Sequence, residues 1–134
     1  MDKGFTLLEL LLVVALASIL AAMAWPSYQQ HLYTSRRSDA WSAILAIRLA
    51  QEKWRNQNVG YTSELKDLAI KNVSEQGFYQ LKLDTNASVS AFTIRADAIS
   101  TEAQSQDTGC TQLTFSQQAG EVIRQPAGCW PAPW

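Results

Sequence analysis

The sequence holds a single histidine, His31, and two cysteines, Cys110 and Cys129, both in its last quarter. That scarcity excludes most metal chemistry, because structural zinc sites take four Cys or His ligands and catalytic ones three. The motifs that announce chemistry are missing as well: no Gly-x-Ser-x-Gly, no His-Glu-x-x-His, no phosphate-cradling glycine loop. No catalytic residue, metal or cofactor is therefore assigned, and an enzyme reading is set aside. An excess of charge of one sign is lacking too. Eleven Lys and Arg stand against twelve Asp and Glu, a net charge of -1, so no global basic field advertises nucleic acid.

What charge there is lies unevenly. Residues 27–59 carry Arg36, Arg37, Arg48, Lys53 and Arg55 against Asp39 and Glu52, whereas residues 60–134 are acidic on balance. The two cysteines admit one disulfide in an oxidising compartment or two separate buried thiols.

Against these absences stands one long apolar run. From Phe5 to Trp25 every residue is apolar or a small hydroxyl except Glu9. As a helix, that stretch reaches ~32 Å, about one bilayer core. A secretory signal peptide would have a shorter apolar core followed by a small-residue cleavage site. Here the run is too long, and the small-residue junction, Gly4-Phe5, precedes it. It reads as an uncleaved anchor with Lys3 on the cytoplasmic side. Glu9 is the anomaly, since a carboxylate at mid-membrane costs ~2.5–3.5 kcal/mol, less near an interface.

Beyond Pro26, which should kink or loosen the helix around Ala22–Trp25, helical periodicity resumes. Ala40, Ile44 and Ile47 keep one spacing, and Trp41, Leu45 and Leu49 another, until Asn56-Gln57-Asn58-Val59-Gly60 supplies a stop. One helix of about 50 residues is expected. Tyr61–Leu68 reads as a connection with a short helical turn capped by Thr62 or Ser63. Two-residue alternation follows: Tyr79, Leu81 and Leu83; Phe92, Ile94, Ala96 and Ala98; Leu113 and Phe115 from a strand begun by Cys110; then Val122-Ile123. These predict an antiparallel meander of three or four strands, its apolar face against the helix. Asp84 and Asp97 fall on the polar face. Arg36 and Arg37, with Tyr28, His31 and Tyr33 nearby, read as a solvated basic face rather than a nucleic-acid patch.

Gly4-Phe5-Thr6-Leu7-Leu8-Glu9, the apolar run and Pro26-Ser27-Tyr28 together resemble the prepilin signature of the type IV pilin family. Asn58-Val59-Gly60-Tyr61-Thr62, Gly109–Thr114 and Cys129-Trp130 are more weakly similar to minor pilins of the PilE-like group. The resemblance implies an α+β pilin fold: a long helix whose hydrophobic half protrudes, a small three- or four-stranded sheet, and a C-terminal disulfide loop, Cys110–Cys129. It implies a leader at 1–4, an apolar helix at 5–26, an amphipathic continuation at 27–58 and a globular part at 59–134. It further implies cleavage between Gly4 and Phe5 by a prepilin peptidase, N-methylation of Phe5 and an assembly role for Glu9. The residues depart from the family in Asp2, beside Lys3 in the leader, and in Ser18, where many pilins have glycine.

The expected function is that of a minor pilin. It is held in the inner membrane with its globular part in the periplasm, then assembled by the pilus machinery into an extracellular fibre with other pilin subunits. Such a fibre serves adhesion, twitching motility or DNA uptake. Two alternatives from other classes are a DNA-receptor pilin, disfavoured by the acidic balance of residues 60–134, and a pseudopilin of a type II secretion system. A major pilin also stays open.

Overall fold

The computed structural model describes residues 6–84 and 86–131. The chain divides into two compact units, Met1–Leu32 and Tyr33–Trp134. One helix, α1, is assigned without interruption from Leu7–Arg55, 49 residues, close to the length the pattern predicts.

From Leu7 to Trp25 every large apolar side chain is exposed, including Leu10–Val14, Leu16, Ile19, Leu20 and Met23. A core helix of a soluble protein would bury such a surface, whereas none of the most apolar eighteen-residue window is buried here. The helix assignment continues through Pro26, so the Ala22 carbonyl forgoes its usual N–H donor. Ser18 donates its hydroxyl to the Val14 carbonyl at 2.6 Å, the local back-bond that lets a polar side chain sit in an apolar helix.

In the second unit α1 keeps its helical period. Ala40, Ile44 and Ile47 are buried, while Leu49 is 63% exposed. Lys53 and Arg55 in the last turn complement the helix dipole. A four-stranded antiparallel sheet follows: β1 (Tyr79–Leu83), β2 (Ala91–Ala98), β3 (Gln112–Gln118) and β4 (Glu121–Gln125), paired in chain order. Leu81 opposes Ala96, and Ile94 opposes Phe115. The predicted alternation thus puts Tyr79, Leu81, Phe92, Ile94, Ala96, Leu113 and Phe115 into one core with Ala40, Ile44 and Ile47. β3 and β4 are joined by Ala119-Gly120, both at positive φ (50° and 90°), as a tight two-residue hairpin requires.

Two local expectations are corrected. The third strand begins at Gln112, because Cys110 sits in the preceding turn with its N–H on the Asp107 carbonyl. The short turn after residue 60 is a 3-10 segment, Leu65–Leu68, with Glu64 at its cap. Thr62 does not cap it. Its Oγ1 accepts the Glu64 N–H at 3.1 Å and meets Asp67 at 2.7 Å.

Candidate functional site

The amino-terminal candidate site begins with the local geometry of α1. Thr6 stands just before the helix; its Oγ1 accepts the Glu9 N–H at 3.3 Å and its carbonyl accepts the Leu10 N–H at 3.2 Å. Those are the two bonds of an N-cap. Thr6-x-x-Glu9 is also the spelling of a capping box, and Glu9 lies in the first turn, where a negative charge is favoured. Glu9 thus stands in the first turn of α1 with its backbone N–H capped by Thr6, in a four-residue pattern that the sequence itself spells. Gly4 and Phe5 lie outside the described residues.

In the second unit the expected bridge is present: Cys110 and Cys129 are joined, with Cα atoms 5.6 Å apart. The Trp41 indole N–H donates to the Cys129 carbonyl at 3.2 Å, so the closed loop is also held to α1.

The segment that approaches Cys110 carries a group that pattern reading placed elsewhere. Arg37, expected on a solvated face, is 7% exposed, and Asp107 is 1% exposed. Arg37 Nε and Nη2 each donate to an Asp107 oxygen at 2.7 Å, and Gln104 Nε2 adds a third bond at 2.8 Å. The Asp107 bonds raise the Arg37 pKa further, against the opposing effect of burial. Burial also pushes the adjacent Tyr79 phenol up to about 12, with the nearby Gln104 amide and Arg37 pulling it down by less. Asp39, two residues on, is buried as well. It accepts from Ser74 Oγ at 2.5 Å, Gln76 N at 3.0 Å and Phe78 N at 3.4 Å. Gln51 closes the far end of the helix by exchanging two bonds with the Thr62 backbone, at 2.6 and 3.1 Å. Arg37, Asp39 and Gln51 thus fasten α1 to three different loops. A lone charge in a helix carries no sequence mark of its distant partner.

The outward sheet face has cations, but they are matched. Lys82 pairs with Asp97 at 3.0 Å and Arg95 pairs with Asp84. Partial burial pushes the Asp97 carboxyl up. The Gln112 and Lys82 hydrogen bonds and the Lys82 and Arg95 charges together outweigh it and hold the group below its ordinary value. Asp84 and Asp97, expected to be merely solvated, are the acid halves of this lattice. The remaining arginines lie against rings: Arg36 over Phe78 at 5.2 Å, Arg48 over Phe115 at 5.6 Å, Arg55 over Tyr61 at 5.1 Å and Arg124 over Trp130 at 5.9 Å. Among the described residues no three His, Cys, Asp or Glu side chains gather where they could hold a metal ion.

An apolar first helix carrying one acid, followed by a disulfide-closed sheet packed on the helix's second half, defines the pilin class of fold. Comparison with known proteins agrees. Residues 1–25 match the prokaryotic N-terminal methylation motif, and residues 26–114 match the family described as type IV minor pilin ComP, DNA uptake sequence receptor. The chain belongs to this family of type IV pilins. Among curated relatives it is 37% identical over 84 residues to the type IV major pilin protein PilE1 of Neisseria gonorrhoeae, covering 56% of this chain and 51% of that one. It is 46% identical over 51 residues to a fimbrial protein of Pseudomonas aeruginosa, covering 38% and 33% respectively. With a fimbrial protein of Moraxella nonliquefaciens it shares 48% over 72 residues, covering 54% and 46%. The chain spans about half the length, or less, of the curated relatives it matches.

Proposed function

We propose that the protein is a minor pilin. In this reading it is cut between Gly4 and Phe5 by a prepilin peptidase, methylated at Phe5, held in the inner membrane by α1 and then incorporated into a type IV fibre. The observation that carries the reading is a methylation motif continuous with a helix whose large apolar side chains from Leu7 to Trp25 are all exposed. Such a surface is satisfied first by lipid and afterwards by the same segment of other subunits. Glu9 would gain from the exchange. A carboxylate in apolar surroundings needs a cationic or hydrogen-bonding partner, and a neighbour's Phe5 amine would provide one, fixing axial register as a buried polar residue does in a coiled coil. Deleting the protein and counting surface fibres tests the proposal; normal fibres with normal motility would refute it.

A second reading, a DNA receptor displayed on the fibre, is favoured by the family match over 26–114. Against it stand the matched charges of the outward sheet face. Gel-shift of the full chain in detergent, repeated across salt concentrations, decides between them. Tight binding that weakens steeply with salt would establish the receptor reading.

A further inference from the structure

Between Glu9 and Arg36 the chain has no Lys, Arg, Asp or Glu. No charge therefore fixes the level at which α1 leaves the lipid that the pilin reading assigns to it. Two large rings stand where the apolar run ends. Trp25 is 62% exposed and Tyr28 57% exposed. Three residues apart, they share one face of the helix, and their ring centroids lie 6.4 Å from each other. Each ring has an apolar body and a polar tip, the combination that suits the boundary between hydrocarbon and headgroups. Pro26 points to the same level. It withholds the N–H that would meet the Ala22 carbonyl, and a bare carbonyl is costly in hydrocarbon but is met by water at an interface.

Helix geometry turns that level into a depth for the rest of the segment. We propose that Trp25 and Tyr28 seat in the phospholipid headgroup boundary at the carboxy-terminal end of the span and so set how deep Glu9 lies. Tyr28 stands about 4.5 Å beyond Trp25 along the axis, within a headgroup layer about 5–7 Å deep. Glu9 stands 16 residues before Trp25, about 24 Å along the axis. In a hydrocarbon core about 30 Å thick, that leaves its backbone about 6 Å inside the opposite boundary. Sliding the helix toward that boundary would bring the carboxylate to water, but it would drag Trp25 and the Ala22 carbonyl into hydrocarbon. The rings thus oppose the escape of Glu9, which stays short of a partner until another subunit supplies one. The inference rests on the pilin reading for the presence of a bilayer; the level of the helix within it follows from the rings.

The test places the full chain, at low density, in phosphatidylethanolamine–phosphatidylglycerol vesicles. One set carries lipid brominated near the glycerol end of the acyl chains, another lipid brominated near the methyl end. Bromine quenches indole fluorescence on contact, and the difference between wild type and Trp25→Phe isolates Trp25 from the other tryptophans. The near-glycerol label should remove most of the Trp25 signal and the near-methyl label little of it. The same ordering is expected in Glu9→Ala, because the rings and not the carboxylate set the level. In Tyr28→Ala, with one ring gone, quenching should shift toward the near-methyl label. Stronger near-methyl quenching in the wild type, a changed Trp25 depth in Glu9→Ala, or an unchanged one in Tyr28→Ala would each overturn the inference. Alkaline extraction of the same vesicles is scored separately. A chain that washes off refutes the membrane anchor and with it the pilin reading. A chain that stays while neither label reaches Trp25 has its rings covered by protein, which overturns this inference alone.

Discussion

Arg37 and Asp107 stand 70 residues apart in the chain and meet through two parallel bonds of 2.7 Å inside the second unit. Neither charge has water to return to, so the pair matters chiefly for what happens when it is broken. Asp107→Ala would strand a buried guanidinium at a cost of about 3–5 kcal/mol. Joining it with Arg37→Met should recover most of that loss, because an apolar pair of similar volume avoids the desolvation altogether. Denaturant unfolding of the two variants beside wild type measures both effects. Equal destabilisation by single and double variants would show that the pair's geometry, not its charge balance, holds the loop.

The disulfide acts on the same loop from its other end. Cys110 and Cys129 are 19 residues apart, a closure worth about 3 kcal/mol in the chain-entropy model. Replacing Cys129 by Ser, or reducing the native protein, should lower the unfolding midpoint accordingly. Amide exchange should rise first around residues 126–130, which the Trp41 indole bond to the Cys129 carbonyl would still tie to α1.

Tyr79 gives a spectroscopic handle on this interior. Its phenol is fully buried and pushed up to about 12 by that burial, with the Gln104 amide beside it but no hydrogen bond of good geometry among the described atoms. A raised folded value means the native state holds the proton more tightly. The associated stability is intact below the ordinary tyrosine value near 10 and is lost as pH climbs toward 12. Alkaline titration followed by phenolate absorbance should show one late tyrosine, coincident with unfolding. Tyr79→Phe should abolish the late step. It should also leave neutral-pH stability unchanged or raise it by up to about 1 kcal/mol, since an unpaired buried hydroxyl is removed.

How much of this was legible follows from the range of the forces. Period-two alternation placed Leu81, Ile94 and Phe115 correctly, because a strand with one buried face announces that face locally. The helix was equally readable, whereas the Cys110–Cys129 bridge followed from the family resemblance and not from a local pattern. Arg37, Asp39 and Gln51 were not, because their roles depend on backbone and side chains brought close only by the fold. The Thr6 cap lies between these cases: Thr6-x-x-Glu9 spells it locally, but the apolar run around Glu9 points instead to a partner outside the chain.

That double possibility makes Glu9 the sharpest point to test. Glu9→Ala removes both the charge and the side chain that a capping box would use, so reduced entry into sheared pili would follow from either role. Glu9→Gln separates them. Glutamine at this position still reaches back to the Ncap N–H in a capping box, but it carries no charge for a neighbour's Phe5 amine. If pairing between subunits is the function, Glu9→Gln should fail in fibres as badly as Glu9→Ala. Both variants should insert in the membrane at least as well as wild type, having lost a carboxylate that costs up to ~2.5–3.5 kcal/mol in lipid. If capping is the function, Glu9→Gln should assemble normally. Immunoblots of sheared pili against the membrane fraction read both quantities from one culture. Near wild-type recovery of Glu9→Gln would sink the register argument while leaving the pilin assignment intact.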